Sequence, residues 1–279
     1  MCSAQTGKLS PRITTIMNCI ICNAPMRPFF SKTFDRFGLG KVEYETCGTC
    51  GFSASRTHYE LTPEQWERLN LDFHLEHNKR PEDPHNRRQR YFQQAIMLQL
   101  MERKGFFGPG PFLDWGSGEG DVSRLASKFF DVNVLNFDLY ITPTDRSVQQ
   151  SELKKRGYSL VMSNAVFEHV TSRETLNEIE SLVAPDGCLA VHTLIPETVP
   201  NDPEWMYLLP VHCSFHTNSS MGVLMQQWGY TCSVYNEFSK MWIMFKKSPA
   251  EILLSVEDLN KELGWNYLKF KEGFMDYWK

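Results

Sequence analysis

One segment constrains the fold of this chain more than any other, because it predicts a strand, a glycine turn and a helix in direct succession. The residues PFLDWGSGEGDVSRLASKFF begin with a short apolar run ending at Asp114, continue through Gly116, Gly118 and Gly120, and finish in a helical pattern. Alternate glycines let the backbone pass close to a ligand that lies over the carboxyl end of a parallel strand. The segment therefore predicts a ligand crevice at one edge of a parallel sheet.

The residues that follow predict more of the same architecture. VNVLNFDLY forms a second strand ending in Asp138, where such folds place a carboxylate on a ribose. YSLVMSNAVFEHV predicts a third buried strand ending near Asn164, ETLNEIESLV a helix, and APDGCLAVHTLI a fourth strand. Strands that alternate with helices favour an α/β fold with a Rossmann-like, doubly wound, mostly parallel sheet.

Four ordered motifs, LDWGSGEG, NFDLY, YSLVMSNAVFEHV and LVAPDGCLAVHT, resemble those of class I S-adenosylmethionine-dependent methyltransferases, over about residues 106 to 247. The loop spacing is G-x-G-x-G and not the G-x-G-x-x-G of dinucleotide enzymes. A carboxylate just before the loop would repel a pyrophosphate but suits the ammonium group of a methionine moiety. The resemblance implies S-adenosylmethionine as cofactor. It assigns cofactor contacts to Asp114, Gly116, Ser117, Gly118, Asp138 and Asn164, the last beside the sulfonium.

The chain departs from the family pattern after Asp138. Only the segment 139–159 precedes the next strand, where the family usually has a helix, a strand and a second helix. We therefore expect a sheet abbreviated after its second strand, with the third strand short or missing. This region normally covers the adenine ring, so no adenine contact is predicted. A non-catalytic scaffold that keeps the methyltransferase fold is one alternative function.

Two C-x-x-C pairs near the start predict a zinc ribbon over residues 17–61. Each pair turns two thiolates toward one point, and two pairs complete the tetrahedron that a structural zinc ion prefers. Protein ligands fill all four positions, so the site would not be open to substrate. The alternatives are a redox dithiol, an iron centre of the rubredoxin type or two disulfides. His58 is predicted as a surface residue. The predicted metal ligands are Cys19, Cys22, Cys47 and Cys50.

The remaining segments are assigned to a linker, an N-terminal leader and a C-terminal tail. Residues 62–105 are predicted as a helical linker, in which Thr62 caps the first helix. Phe92, Ile96, Leu100 and Phe106 are predicted to share one helical face after it. Residues 1–16 are expected to be a disordered leader, and 251–279 a helical tail that docks on the body or on a second subunit. A basic cluster in the linker would bind phosphate or form a solvated face: Arg87, Arg88 and Arg90.

The methyltransferase domain is assigned to residues 106–250, and its last third carries the candidate catalytic residues. With the N-terminal ribbon, the chain resembles sugar C-methyltransferases of deoxysugar pathways and related small-molecule methyltransferases. In those sugar enzymes a Glu-His pair heads a His-x-x-Phe-x-x-x-x-Ser stretch, and the His is the candidate base. His212 matches, whereas Val211 stands in place of the Glu. His169, in the FEHV motif, and His216 are the next candidates, and His192 is predicted to lie in the core.

Aromatic residues in the same stretch predict either an acceptor pocket or the internal packing of a lid. They are Trp205, Tyr207, Phe215 and Trp228.

Composition narrows the possible classes of methyl acceptor. The formal net charge is -4, which argues against a chain whose affinity rests on neutralising many phosphates. A small-molecule acceptor is the first hypothesis, and an RNA methyltransferase whose zinc ribbon grips the nucleic acid is the rival. No stretch approaches the ~20 apolar residues of a membrane span, so a cytoplasmic location is expected. The sequence predicts no oligomeric state.

Overall fold

A computed structural model describes residues 17–77, 84–141 and 146–276 of the chain. The predicted leader, 1–16, lies outside the described residues, as does the side chain of Arg87. Within these ranges, no helix is long and apolar enough to cross a bilayer.

The N-terminal unit is an antiparallel sheet completed by a strand from much later in the chain. β1 (Met26–Phe34) and β2 (Gly40–Cys47) form a hairpin, and β3 (Ser53–Ser55) pairs with β2. The fourth strand, β8 (Ser214–Phe215), pairs with β3. The ribbon sheet therefore includes residues from the predicted acceptor-side stretch.

Three helices connect the ribbon to the main sheet: α1 (Arg56–Tyr59), α2 (Pro63–His77) and α3 (Pro84–Arg103). The predicted start of α2 is confirmed. Thr62 Oγ1 accepts a hydrogen bond from Gln65 N at 3.3 Å, and Gln65 Oε1 accepts one from Thr62 N at 2.9 Å. This reciprocal pair satisfies donors that the first turn of a helix leaves open.

The buried face of α3 differs from the predicted face. Of the predicted face, Phe106 is buried, whereas Phe92, Ile96 and Leu100 are only half-buried. The reason is that α3 packs against α4 (Asp121–Phe130) as well as the sheet. Phe92 contacts Phe129 and Phe130 there, with ring centroids 5.5 and 5.7 Å apart. The fully buried face comprises Gln94, Ala95, Met97, Leu98 and Met101.

A seven-stranded sheet in the order β11-β9-β10-β7-β6-β4-β5 forms the body of the protein. β5, β4, β6 and β7 pair in parallel, and only β10 and β11 run opposite to the other five strands. The predicted Rossmann-like, mostly parallel sheet is confirmed. Its strands are β4 (Phe112–Trp115), β5 (Val134–Phe137), β6 (Tyr158–Asn164), β7 (Val183–His192), β9 (Cys232–Asn236), β10 (Met241–Phe245) and β11 (Lys269–Glu272).

Helices cover both faces of this sheet. Successive strand residues point to opposite faces, so the buried apolar residues of one strand pack against helices on both sides. In β4, Phe112 faces one side of the sheet and packs with α3 and two later helices. Leu113 faces the opposite side and packs with two other helices and with ribbon residues such as Phe52. The fold is therefore doubly wound, and the ribbon shares a hydrophobic core with one face. The helices are α4 (Asp121–Phe130) and α7 (Pro249–Leu263) on the α3 side, with α5 (Arg173–Ser181) and α6 (Asn218–Gln227) on the ribbon side.

The sheet is abbreviated where the sequence predicted. In the described part of the segment after Asp138, pairing with β5 consists of one parallel bridge between Asn136 and Ser147. The opposite edge carries a strand that was not predicted. The tail 251–279 was expected to be helical, but β11 follows α7 and pairs with β9, because Phe270 packs into the core below it.

Candidate functional site

Three predicted cofactor residues meet at the carboxyl edge of the parallel strands. Asp114, in β4, is buried, with 2% of its surface exposed. Asn164 ends β6, and its Nδ2 donates to Asp114 Oδ1 at 3.5 Å. Asp138 directly follows β5, close enough for its charge to act on Asp114. The crevice therefore contains two carboxylates and one amide.

The glycine loop is shaped by positive φ angles, which L side chains rarely adopt. φ is 76° at Gly116, 54° at Gly118 and 68° at Gly120. A Cβ at Gly116 would lie 2.5 Å from Val166 Cγ2, and one at Gly120 would lie 2.7 Å from Asn136 Nδ2. At Gly118 no described atom lies within 4 Å of the Cβ position. The loop is thus packed at both ends and open in the middle, where a ligand can approach the backbone.

The Asp138 carboxylate holds the loop and the start of the next segment together. Its Oδ2 accepts a hydrogen bond from Gly118 N at 2.8 Å. Its Oδ1 accepts from Tyr140 N at 2.8 Å and Ile141 N at 3.1 Å. The neighbouring Ser117 N donates to the carbonyl of the last β5 residue at 3.1 Å. Asp138 therefore orders the backbone at the open part of the loop and still has lone pairs for a ligand hydroxyl.

Asp114 occupies a site that favours its neutral form unless a cation is nearby. Burial raises the pKa of Asp114 to about 7; the hydrogen bond from Asn164 opposes this shift, and the charge of Asp138 adds to it. A ligand ammonium group at this edge would stabilise the carboxylate. The residues therefore fit the amino-acid end of S-adenosylmethionine.

This pKa makes cofactor affinity depend on pH. At about pH 6 Asp114 is mostly protonated in the free protein, and a cationic ligand must drive its ionisation. The affinity for S-adenosylmethionine is therefore expected to rise roughly eightfold between about pH 6 and pH 7.5, with proton release at the lower pH. Calorimetry in buffers of different ionisation enthalpy measures both quantities. Asp114→Asn should lose this dependence and Asp186→Asn, at the far end of the sheet, should keep it; a flat wild-type profile would refute the role of Asp114.

The four cysteines converge as predicted. The Sγ–Sγ distance is 3.6 Å between Cys19 and Cys50 and 3.4 Å between Cys22 and Cys47, and all four sulfurs lie within 4.8 Å of one another. These are the separations of a tetrahedron with Zn–S bonds of about 2.3 Å. They are too long for disulfides, whose sulfurs lie ~2.05 Å apart, and the cysteines are free. The cluster fits a small zinc ribbon.

The ribbon is joined to the domain of the main sheet through buried polar contacts. Thr217 Oγ1 donates to Cys50 O at 2.8 Å. His58, predicted on the surface, is only 1% exposed, and its ring nitrogens are hydrogen-bonded to Ser55 Oγ (2.6 Å) and Pro210 O (2.8 Å). That prediction was wrong because the stretch that ends in β8 covers α1, a long-range contact that local sequence does not reveal.

A polar cluster, here named the Glu-His-His cluster, follows β6 and contains Glu168, His169 and His212. One ligand-type atom of each residue lies within 4.8 Å of the others, and the two imidazole centroids are 5.0 Å apart. Tyr207 OH donates to Glu168 Oε1 at 2.7 Å, and His212 Nδ1 donates to Tyr207 O at 2.9 Å. The structure thus brings both predicted catalytic histidines together. It adds Glu168, which sequence reasoning missed although it stands in the FEHV motif.

The surroundings of the Glu-His-His cluster keep one histidine neutral. Burial lowers the pKa of His169 well below its usual range, and the nearby His212 and His74 add to this shift. His74 belongs to α2, and its ring lies 6.0 Å from that of His169. The part of α2 that carries His74 therefore lies beside the cluster.

The other candidate histidines lie elsewhere. His216 packs between Phe52 and Phe167, with ring centroids 5.1 and 5.5 Å away, and burial lowers its pKa to about 4. His192 was predicted in the core but is half-buried at the end of β7, where it bonds Lys240 O at 2.7 Å. Neither residue belongs to the Glu-His-His cluster.

Three of the four aromatic candidates pack together. The Trp205 ring lies 5.3 Å from that of Phe215 and 5.6 Å from that of Tyr207. Trp228 lies apart from them, and its Nε1 donates to Asn177 Oδ1 at 3.0 Å. The three rings pack beside the ribbon core, so that Tyr207 alone also contacts the Glu-His-His cluster.

Comparison with solved structures finds methyltransferases at low sequence identity. Human N-acetylserotonin methyltransferase, in complex with its cofactor, is 12% identical over 69% of this chain and 58% of its own, with a TM-score of 0.41. The plantazolicin methyltransferase BamL is 15% identical over 66% of this chain and 94% of its own (TM-score 0.42). Geranyl diphosphate C-methyltransferase from Streptomyces coelicolor A3(2) is 12% identical over 70% and 89% (TM-score 0.44). Comparison with curated protein sequences finds no match.

A family model described as a methyltransferase domain matches residues 84–233, more than half of the chain. The glycine loop, both crevice carboxylates and the Glu-His-His cluster all lie within or beside this range. Fold and site together define a S-adenosylmethionine-dependent methyltransferase of the Rossmann-like class. The chain belongs to this methyltransferase domain family.

Proposed function

We propose that this methyltransferase acts on a small molecule, with the Glu-His-His cluster at its acceptor site and the ribbon as a structural zinc unit. One observation carries the proposal: the cluster begins a single turn beyond the cofactor crevice. Asn164 contacts Asp114 in the crevice, Ala165 turns the chain with a φ of 53°, and a 3₁₀ turn over 167–169 then presents Glu168 and His169. The residue expected beside the sulfonium thus leads directly into the cluster.

In this proposal, each crevice residue binds a different part of the cofactor. Asp114 binds the ammonium group, Asp138 the ribose hydroxyls, and the open backbone at Gly118 approaches the ligand between them. Leu139 and Tyr140 directly follow Asp138 and remain 54% and 45% exposed. Apolar surface at the carboxyl end of β5 suits an adenine ring, so these two side chains are proposed as its platform, since the described part of the next segment pairs with β5 through one bridge only. When bound, S-adenosylmethionine supplies a methyl group on a positively charged sulfur.

The Glu-His-His cluster is proposed to orient the acceptor and to receive its proton. Displacement at a sulfonium has a good leaving group, so the protein mainly aligns the acceptor and, where needed, removes a proton. His212 and His169 are the candidate bases. Burial keeps His169 neutral at physiological pH, the form in which an imidazole accepts a proton.

Burial and charge favour a small acceptor over RNA. Glu168 is 2% exposed and His212 7%, so a large, rigid acceptor would not reach them without rearrangement of the surrounding residues. RNA binding also requires a continuous basic face. Four of the basic side chains on the ribbon instead form ion pairs with carboxylates: Lys32 with Glu204, Arg36 with Glu76, Lys41 with Glu43 and Arg56 with Glu45.

Zinc is the proposed ion of the ribbon, with a structural role. The four sulfurs fill a tetrahedral site, which leaves no position for a substrate. Ile21 N also donates to Cys19 Sγ at 3.4 Å, which stabilises a thiolate. The shared core with α5 and α6 means that the ribbon supports one face of the catalytic domain.

Replacing His212 with alanine should separate catalysis from cofactor binding. Loss of a positioned acid–base group typically lowers a rate by about 10²–10⁴-fold, whereas His212 contacts Tyr207 and His169 and is not one of the crevice residues that would hold the cofactor. We expect turnover to fall by that factor and the dissociation constant for S-adenosylmethionine to stay within about twofold. His192→Asn is the matched control and should retain turnover. Equal rates for wild type and His212→Ala would exclude the residue from the reaction.

The acceptor class is tested with labelled cofactor. The protein is incubated with a pool of small metabolites, including nucleotide-linked deoxysugars, and separately with total RNA. Label is then counted in the low-molecular-mass and RNA fractions. The proposal predicts label in the small molecules alone, reduced in His212→Ala. Label found only in RNA would overturn it.

A further inference from the structure

A cavity of about 310 Å³ lies between one face of α4 and the edge strand β5. Glu119 and Gly120, at the end of the glycine loop, belong to its lining, whereas none of Asp114, Gly118 and Asp138 does. The cavity therefore adjoins the cofactor crevice without being part of it. It lies where the sheet is abbreviated, since the described segment beyond β5 pairs with that strand through one bridge only.

The face of α4 that lines the cavity is polar and cationic. Residues four apart in a helix lie on the same face, and here Ser123 is followed by Ser127, and Arg124 by Lys128. Arg124 forms an ion pair with Asp121 on its own helix. Lys128 has no carboxylate partner in the part of the chain that the structure describes. The helix thus contributes one cation that no protein carboxylate neutralises.

Arg146 contributes a second cation from the other wall of the cavity. Its carbonyl accepts a hydrogen bond from Asn136 N at 3.0 Å, which fixes its backbone beside β5. Its guanidinium reaches across to α4, where Nη1 donates to Ser123 O at 3.2 Å and Nη2 to Ser127 Oγ at 2.6 Å. Among the described residues it has no carboxylate partner either. Because Ser127 Oγ accepts this bond, its own O–H remains a donor for a ligand.

A buried amide places a hydrogen-bond acceptor beside these donors. Asn136 lines the cavity from β5 and is 4% exposed. Its Nδ2 faces the backbone of Gly120, where a Cβ would lie 2.7 Å away. Its Oδ1 is buried and has no hydrogen-bond partner within the described ranges. Buried polar atoms are normally paired, so this oxygen favours a ligand that brings a hydroxyl group.

We propose that this cavity binds a small phosphate monoester that carries hydroxyl groups. Guanidinium, ammonium and serine hydroxyl groups are strong donors to a phosphate, and a ligand hydroxyl would donate to Asn136 Oδ1. The volume lies at the lower end of the range for small-molecule sites, about 300–1,000 Å³. The exposed carboxylate of Glu119, at the rim, opposes an anion but is outnumbered by the two cations. Binding here goes beyond the proposed function and does not require methyl transfer.

The probe is ribose 5-phosphate, titrated by calorimetry into the zinc-loaded full chain without cofactor or acceptor. We expect one equivalent to bind, and both ribose and methyl phosphate to bind at least about tenfold more weakly, because each lacks one of the two recognised groups. Arg146→Gln should weaken binding about 10–100-fold, the effect of losing a charged hydrogen-bond donor, and Lys128→Gln should weaken it less. Lys261→Gln removes an exposed lysine at the end of α7 and should leave binding unchanged.

Three results would overturn this site: no binding of ribose 5-phosphate to the wild type, undiminished binding to Arg146→Gln, or displacement of the bound phosphate by S-adenosylmethionine, which would place it in the cofactor crevice. The wild-type titration needs no variant to fold, and retained zinc with an unchanged circular dichroism spectrum shows that a variant has folded. Because the titration involves no methyl transfer, an absence of phosphate binding would leave the methyltransferase proposal standing.

Discussion

Replacing Asp138 with alanine is expected to weaken S-adenosylmethionine binding by about 10²–10⁴-fold. The carboxylate is placed to accept two ribose hydroxyls, and a hydrogen bond to a charged group contributes about 1.5–3 kcal/mol. Two such bonds amount to roughly 3–6 kcal/mol, and about 1.4 kcal/mol corresponds to a factor of ten. The same substitution releases Gly118 N, Tyr140 N and Ile141 N, which loosens the loop and adds to the loss. Calorimetric titration measures the effect.

Two further variants make this result specific. Asp138→Asn keeps one oxygen for the backbone donors and should give an intermediate loss, which separates ligand contact from loop order. Asp186→Ala removes a carboxylate from the opposite end of the sheet and should bind as tightly as wild type. Unchanged affinity in a folded Asp138→Ala protein would show that the cofactor does not use this carboxylate.

Replacing Cys47 with serine is expected to release the ribbon zinc and to destabilise the whole protein. Structural zinc contributes about 10–16 kcal/mol in zinc-finger peptides, as much as the entire stability of a typical domain, about 5–15 kcal/mol. Loss of even about 4 kcal/mol would lower Tm by roughly 8–16 °C for a domain of this size. Because Cys47 and Cys50 share one hydrophobic core with Leu113 and Leu224, the damage should spread beyond the ribbon.

Metal analysis and thermal unfolding test this expectation together. Cys232→Ala is the matched control, since it removes a fully buried thiol of the main sheet that does not belong to the cluster. It should lower Tm by a few degrees and retain the zinc. A Cys47→Ser protein that keeps both its zinc and its Tm would contradict a four-thiolate structural site.

Local sequence was sufficient to predict which residues come together in the crevice and in the cysteine cluster. Gly116, Gly118 and Asp114 lie within one strand-turn-helix unit, so their relative positions follow from adjacent residues and from backbone sterics. Asp138 required only one further assumption, that consecutive strands lie side by side. Two C-x-x-C turns likewise carry their own geometry, because thiolates that share an ion must converge.

The Glu-His-His cluster could be predicted only in part, because it depends on contacts between distant segments. His169 and His212 were each identified from short motifs, but nothing near either residue indicates that their rings meet. Glu168 was overlooked because a carboxylate next to a histidine is common on surfaces, and here a hydroxyl from Tyr207 orients it from a distant loop. The burial of His58 has the same origin, since the covering Pro210 comes from the same loop.

The sheet edges show a further limit. The shortened segment after Asp138 correctly predicted a reduced third strand, because too few residues remain for a helix, a strand and a second helix. No comparable signal marked β11, whose four residues are mostly polar and follow an amphipathic helix. Its pairing with β9 is specified by the free edge of that strand and by the packing of Phe270, which are tertiary features.

The central claim, that this chain binds S-adenosylmethionine at the Asp114 and Asp138 crevice, is tested most directly by titrating the zinc-loaded wild-type protein with S-adenosylmethionine in a calorimeter. We expect one site per chain with a micromolar dissociation constant, and competition by S-adenosylhomocysteine at the same site. An absence of binding heat and of competition in a folded, zinc-loaded preparation would contradict it and favour a scaffold that has kept the methyltransferase fold.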